Sequence, residues 1–464
     1  MKIVVSNNLT VENPTHELRQ WCKMHLTLVN PEYAKKARMH FWLGDTPPKI
    51  SLYEEQGDSL ILPFGVLRSL PDSAKEESCF ESAFKEPYRV YYEGDNIPLY
   101  DYQKVAVNAL YEAKYGILQS RAGSGKTQMG IALVKLFGKR ALWLTHTLDL
   151  LRQSKSRAEQ YIDSSLIGTI TEGKINIGKG ITFATIQTMC KLDLNHYKDY
   201  WDVIIVDECH RVAGTPTAVT QFSKVLNALA ARHKIGLSAT VHRADGMIEA
   251  TYALLGQIVY TVPDEAVGDK IMQVGILPVG TGVEIERSCL NTDGTLNYTK
   301  LITYLTGNKE RNLLIARNIE IGKSSLILSD RLEHLNLLKN LLPWGELDKA
   351  VMISGKMTSK QGKLDREKAI GEMRKGNKIY LFATYSLAKE GLDIPCLERL
   401  YLTTPQKDYA VITQSIGRIA RKCEGKTDAI CYDFVDDIGY LVKSYKKRCA
   451  SYRKARCYFI DNSK

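Results

Sequence analysis

The sequence predicts an α/β protein with two tandem doubly wound lobes behind a small α+β domain. Three observations carry that reading. From about Ile97, short and nearly continuous apolar runs alternate with helical patterns: YGILQS, RALWLTH, GITFATI, DVIIVDE and KIGLSAT. A second series of the same kind comes after it: SSLILSD, KAVMISG, KIYLFAT, RLYLTTP and DAICYDFVD. Runs apolar at every position suit parallel strands buried on both faces. Two such series in succession predict two sheets, each flanked by helices. The third observation is that residues 1–90 have a different pattern.

In that first part, MKIVVSNNLTV alternates like a strand, and HELRQWCKMHLTLV has apolar positions at helical spacing. ISLYEEQGDSLILPFG reads as two short strands around a Gln-Gly-Asp turn. A charged stretch, SAKEESCFESAFKEP, closes the domain. The predicted divisions are 1–90 for an N-terminal accessory domain, 91–265 and 266–438 for the two lobes, and 439–464 for a basic C-terminal tail. VPDEAVGDKIMQVGILPVG, from Val262, reads as the connection between the lobes.

The totals agree with this division. A chain of 464 residues suggests about three domains at roughly 150 residues each. Hydrophobic residues make up 44% and charged residues 25%, which is ordinary globular usage. The net charge of +11 favours a polyanionic partner. In the tail, Tyr445, Tyr452 and Tyr458 lie among lysines and arginines. Such a pattern either grips a phosphate chain or packs its tyrosines on the second lobe. Ten cysteines are scattered without a C-x-x-C pair, so free thiols in a reducing compartment are expected. The N-terminus is too short in apolar residues and too soon polar for a signal peptide. No apolar run is long enough to span a bilayer, and the expected location is cytoplasmic.

The first motif that carries chemistry is QSRAGSGKTQMG, Gln119 to Gly130. It stands between a predicted strand and a predicted helix, the context that a phosphate-binding loop requires. Backbone N–H groups at the loop and the helix start face an anion. Gly123 and Gly125, on either side of Ser124, allow close approach and unusual torsions. Lys126 reaches the outer phosphates of ATP, and Thr127 ligates Mg2+. The loop departs from G-x-x-x-x-G-K-T at its first position, where Ser120 replaces glycine.

DVIIVDECH, Asp202 to His210, is a buried strand ending in two carboxylates. Asp207 is expected to hold Mg2+, leaving Glu208 to accept a proton from the attacking water. In the second lobe, QSIGRIAR offers Gln414, Arg418 and Arg421 at helical spacings. Hydrolysis needs positive charge on the γ-phosphate, and Arg418 and Arg421 are the candidate arginine fingers.

Taken in order, GSGKT, DECH, GLSAT at Gly236–Thr240, ATYSLAKEGLDIP at Ala383–Pro395 and QSIGRIAR resemble the helicase motifs of superfamily 2, DExH branch. The resemblance covers Leu99 to Asp436. It implies two RecA-like lobes with ATP between them and nucleic acid across both. By the same resemblance Gln103 in LYDYQ reads adenine. Thr147 and Gln153 in HTLDLLRQ, with His146 in place of the usual proline, touch the strand backbone. Thr185, Gln187 and Thr188 in TFATIQTM do the same, as does Thr384. Ser238 and Thr240 couple ATP to nucleic acid, with His210 in the relay. Gly391 and Asp393, beside Glu390, sense the nucleotide, and SDRLEHL resembles motif IV.

VHRADGM, with Arg243 and Asp245, and the N-terminal phrases resemble the UvsW-type branch-migration helicases, and more distantly XPB-like and RecG-like motors. That implies a monomeric DNA motor acting on forks and junctions with little sequence preference. The competing expectations are an ATP-gated nucleic-acid clamp, an RNA helicase, and the motor subunit of a restriction complex.

Overall fold

The computed structural model describes all residues except 94–95, 240–246, 269–270, 356, 358, 390–391, 393 and 462–464. Thr240, Arg243, Asp245, Glu390, Gly391 and Asp393 therefore lie outside the described residues. The chain divides into two compact units: Met1–Arg121 with Gly125–Val267, and Gly268–Lys464 with Ala122–Ser124.

The first unit contains an eight-stranded sheet. Its strand order is Lys174–Asn176, Ile167–Thr171, Ile181–Thr185, Ala141–Thr145, Val203–Asp207, His233–Ser238, Gly116–Gln119 and Ile258–Thr261. All neighbours are parallel except the outermost pair, Ile167–Thr171 with Lys174–Asn176. The apolar runs of the first series are its inner strands, and every residue of Ala141–Thr145, Ile181–Thr185 and Val203–Asp207 is buried. Helices start where the sequence supplies caps. The Thr147 side chain accepts from Leu150 N, and Thr215 accepts from Ala218 N just before Pro216.

The N-terminal residues form a five-stranded sheet ordered Glu54–Gln56, Ser59–Pro63, Asn8–Glu12, Lys2–Val5 and Cys79–Ser82. MKIVVSNNLTV is thus a hairpin of two strands, and the charged stretch contributes a parallel edge strand. This sheet does not enclose a core of its own. Ile3, Leu9, Leu60, Leu62 and Phe64 share one apolar cluster with Tyr115, Ala213, Val219, Ala250 and Ala253 of the larger sheet's layers. Gly65 is the tightest point, because a Cβ there would run into the backbone of Tyr252–Gly256. The buried Lys234 ammonium donates to Asn7 O at 2.9 Å and Leu226 O at 2.6 Å. Burial pushes its pKa down to about 7.

The second unit is a seven-stranded parallel sheet ordered Ala350–Ile353, Tyr380–Thr384, Ser325–Ser329, Arg399–Leu402, Ile430–Val435, Gly275–Gly280 and Tyr458–Phe459. Two expectations need correction here. The stretch from Val262 is not all connection, because Gly275–Gly280 is a strand beside Ile430–Val435. On its other side the edge strand Tyr458–Phe459 pairs with Gly275 and Ile276 among the described residues.

At Tyr452 the basic C-terminal segment follows the second of its two expectations, packing on the second lobe. Gly439–Lys454 is a helix whose Arg448 makes a bidentate pair with Asp433 at 2.8 Å, and Tyr452 donates to the same carboxylate at 2.6 Å. Tyr452 is fully buried, so it packs and does not stack on bases. The second correction concerns cysteine. Cys396 and Cys423 are joined by a disulfide, while the other eight cysteines are free as expected.

His334 is buried between Ser329 Oγ and Asn312 Oδ1, each at 2.9 Å from a ring nitrogen. Burial first, and Arg311 second, hold its pKa down at about 3, below the ordinary 6.5. A folded-state pKa below the unfolded value means stability present above 6.5 and lost as pH falls toward 3. The thermal midpoint should therefore drop between pH 7 and pH 5, and less so in a His334→Gln variant. Parallel slopes in the two proteins would remove His334 as the cause. Gly65→Ala should cost about 1–3 kcal/mol in chemical denaturation, as overpacking against backbone does. An unchanged midpoint would contradict the close approach.

Candidate nucleotide and coupling site

Three adjacent parallel strands deliver the chemistry at their carboxyl ends. Gly116–Gln119 leads into the phosphate loop, His233–Ser238 ends in the Ser238 hydroxyl, and Val203–Asp207 ends in the carboxylates. The three stay in register, with Ser238 opposite Gln119 and Leu237 opposite Asp207. Ser120 N donates to Ser238 O at 2.9 Å, so the loop leaves the sheet from a tethered point. Ends of parallel strands are where such folds bind ligands.

The loop closes on the helix Lys126–Phe137. Gly123 and Gly125 have φ of +84° and +82°, a region that residues with a Cβ rarely occupy. Gln103 comes in from the helix Asp101–Ala113. Its Oε1 accepts from Tyr100 N at 2.9 Å, and its Nε2 lies against Gly125, in the space a Cβ would need. The amide predicted to read adenine thus also braces the loop.

Lys126 is buried, with Nζ 3.8 Å from Glu208 Oε1. Asp207 accepts from Ser154 Oγ at 3.0 Å and from Glu208 N at 3.0 Å. Burial, then the neighbouring Glu208 charge, push the Asp207 pKa up to about 6 despite Lys126. Glu208 has φ of +50°, a conformation uncommon for a residue with a side chain. That twist directs the second carboxylate away from the strand line. Glu208 Oε2 lies 3.3 Å from His210 Nδ1, which is 2.9 Å from Ser238 Oγ. A continuous polar path therefore joins Lys126, Glu208, His210 and Ser238. Cys209, between them in sequence, fills the core beneath, where a Cβ on Gly236 would strike its Sγ.

This donor set fits a nucleotide with Mg2+. The two left-handed glycines open a backbone cradle, Lys126 supplies a cation, and the raised pKa of Asp207 marks a buried carboxylate that further positive charge would stabilise. Thr127 is the neighbour of Lys126 in the first turn of the same helix.

The predicted strand contacts are placed less directly. Thr147 caps its helix, accepting from Leu150 N at 3.3 Å, and Gln153 is half-buried further along. Thr185 is buried and shares a 2.9 Å hydrogen bond with Thr188. The Gln187 amide donates to His146 O at 2.9 Å, so it ties two motifs together. Burial, then Arg211, hold the His146 pKa below its ordinary value. In the second unit, Thr384 ends its strand with its hydroxyl 2.9 Å from Ser386 Oγ. Gln414 and Arg418 lie on the helix Tyr409–Ile419, and Arg421 comes just after it. The Lys426 ammonium donates to the carbonyls of Ile419 and, at 2.9 Å, Arg421, capping the end that carries the arginines.

Two contributors escaped the sequence reading. Ser154, one residue beyond Gln153, orients Asp207 from another helix; nothing in RQS marks it apart from its neighbour. Lys426 lies in a charged stretch, EGK, that reads as a surface turn.

Comparison with known proteins agrees with this geometry. Residues 96–243 match the family "Type III restriction enzyme, res subunit", and residues 308–423 match "Helicase conserved C-terminal domain". The chain is an ATP-dependent superfamily 2 helicase with tandem RecA-like lobes. Within that superfamily it resembles UvsW and XPB proteins. It is 24% identical over 370 residues to "ATP-dependent DNA helicase uvsW" of Enterobacteria phage T4, covering 74% of this chain and 69% of that one. It is 26% identical over 392 residues to "DNA 3'-5' translocase XPB2" of Sulfurisphaera tokodaii, covering 78% and 84%. It is 27% identical over 368 residues to "Putative ATP-dependent RNA helicase L396" of Acanthamoeba polyphaga mimivirus, covering 76% of this chain and 66%, just under two thirds, of that one. The solved structure of S. cerevisiae Dbp5 bound to RNA and ADP BeF3 shares the fold, at 19% identity and TM-score 0.52, over 78% of this chain and 89% of that one.

Ser154→Ala should lower the turnover of ATP about tenfold, the effect of losing one hydrogen bond to a charged group. Steady-state hydrolysis at saturating ATP measures it; an unchanged rate would make Ser154 a packing residue. Ser238→Ala should keep basal hydrolysis within about twofold while losing most stimulation by nucleic acid. Equal loss of both rates would place Ser238 in the chemistry and not in the relay.

Proposed function

We propose that this protein is an ATP-driven DNA translocase that works on branched DNA, unwinding forks, reversing them or moving junctions in replication, recombination or repair. The observation that carries the reading is the polar path from Glu208 through His210 to Ser238. A simple phosphotransferase has no use for a wire leading away from its general base. A motor needs one, so that occupancy of the nucleotide site is felt where the strand is held.

In this reading Lys126 holds the β- and γ-phosphates, and the backbone of Gly123, Ser124 and Gly125 cradles them. Gln103 selects adenine through its amide. Thr127 and Asp207 would hold Mg2+, which supplies charge that offsets the build-up on the phosphates. Glu208 takes the proton of the attacking water, and His210 orients Glu208. Arg418 and Arg421, with Gln414 on the helix of Arg418, neutralise the transferred phosphoryl group. Gly391 and Asp393 contact the nucleotide. Thr147, Gln153, Thr185, Gln187 and Thr384 belong to the strand path; these are hydroxyls and amides, which suit backbone and give little sequence preference.

DNA as the substrate is supported by the names of the T4 and Sulfurisphaera relatives. The net charge of +11 supports a polyanion of either kind. RNA is the second reading, favoured by the name of the mimivirus relative. The working form is proposed to be a monomer in the cytoplasm.

Lys126→Ala should abolish ATP hydrolysis; full activity would refute the phosphate-loop assignment. Glu208→Gln should retain nucleotide binding while turnover falls roughly a hundredfold, the usual scale for a lost general base. Strand displacement compared on a fork, a four-way junction, a plain partial duplex and an RNA hybrid tests the substrate. Preference for the first two supports the proposal, and preference for the RNA hybrid favours the second reading.

A further inference from the structure

The short strands Thr27–Val29 and Lys49–Ser51 pair antiparallel, and residues 30–48 form an excursion between them. The excursion is built firmly at its base. Asn30 N donates to Pro48 O at 3.0 Å and Asn30 Nδ2 to Pro47 O at 2.8 Å. Asn30 Oδ1 accepts from Glu32 N and Tyr33 N, starting the helix Pro31–Arg38. That helix has no buried residue. Helices in folded proteins are mostly held by an apolar face in a core, so this one is retained for something other than packing.

The cap of this helix presents the next residues to solvent. His40 has φ of +52°, with His40 N donating to Ala37 O and Phe41 N to Lys36 O, the pair of bonds that closes a left-handed helix cap. The chain then turns outward. Phe41 is 58% exposed and Trp42 is 87% exposed. The Trp42 ring lies over Gly44, where a Cβ would collide with it. The ring thus lies close to Gly44 and is otherwise open to solvent. Two adjacent exposed aromatics on an ordered support are unusual on a protein with no partner for them.

Charge identifies the occupant. Lys35, Arg38 and Lys49 are exposed, with no carboxylate at ion-pair distance among the described residues. Lys36 is held in place by Glu32 at 3.1 Å and Thr46 at 2.7 Å. Aromatic faces flanked by unpaired cations match an unpaired nucleic-acid strand: bases stack on the rings and phosphates meet the cations. A protein partner would gain the apolar contact but leave the cations unmatched. We propose that the excursion 30–48 is a stacking site for single-stranded nucleic acid, with Phe41 and Trp42 as its platforms and Lys35 and Arg38 as its phosphate contacts. The proposal rests on the translocase reading and adds an element that holds a separated strand apart from the ATP-driven path.

The test is a Phe41→Ala/Trp42→Ala double variant, whose side chains bury little, beside a Phe41→Ala/Trp42→Tyr variant that restores one ring. Fluorescence anisotropy gives affinities for a labelled oligothymidylate and for a blunt duplex of the same length, at one salt concentration. ATPase is measured with and without nucleic acid. Expected are an approximately tenfold weaker grip on the oligothymidylate, partial recovery with tyrosine, under twofold change on the duplex, and unchanged basal ATPase. Unaltered oligothymidylate affinity, an equal loss on the duplex, or loss only of binding to phosphatidylserine vesicles would each overturn the inference while leaving the motor reading intact. Wild-type ATPase that neither DNA nor RNA stimulates would sink the motor reading, and this inference with it.

Discussion

The contact between the Lys126 ammonium and the Glu208 carboxylate, 3.8 Å apart over a buried Asp207, is the constraint on which the first unit is arranged. Three charged groups share a site with little water. Bringing them together costs several kcal/mol of desolvation per ion unless the surroundings compensate. Each neighbouring element contributes to that compensation. Ser154 reaches from one helix to Asp207, the Glu208 backbone amide reaches the same carboxylate, and His210 lies against Glu208. Such a donor set suits a nucleotide with its cation, whose charge would complete it.

The same arrangement reaches across to the neighbouring strand. His210 Nδ1 lies near both Glu208 Oε2 and Ser238 Oγ. Ser238 ends a strand that lies between the strand feeding the phosphate loop and the strand bearing the carboxylates.

The N-terminal sheet alters how the first unit should be understood. Its core is continuous with that of the larger sheet, closed by Gly65 against Tyr252–Gly256 and by Lys234 on Asn7. It is an added layer sharing one interior, so whatever it binds is carried rigidly with the nucleotide site. In the second unit, buried pairs do comparable structural work. Arg448 with Asp433, and Arg311 with Asp436, fasten the C-terminal helix and the Lys309–Arg317 helix to the sheet. Removing one partner from such a pair strands a buried charge.

Periodicity and local chemistry were enough to determine the inner strands of the first large sheet, those of the second except Gly275–Gly280, the glycine loop, the carboxylate pair and the order of motifs. These depend on contiguous residues: an apolar run makes a buried strand wherever it lies, and glycine beside lysine and threonine makes an anion cradle. Only the tertiary structure decided what depends on residues distant in sequence. It decided that Pro278 sits in a strand, opposite Asp433 in a parallel ladder. It turned a basic tail into a packed helix, because Asp433 offered Arg448 and Tyr452 a buried partner. It brought Ser154 to Asp207 and Gln187 to His146, and it joined Cys396 to Cys423. Such pairings leave no local trace, since a hydroxyl, an amide or a thiol reads alike in sequence whether it faces water or a partner across the core.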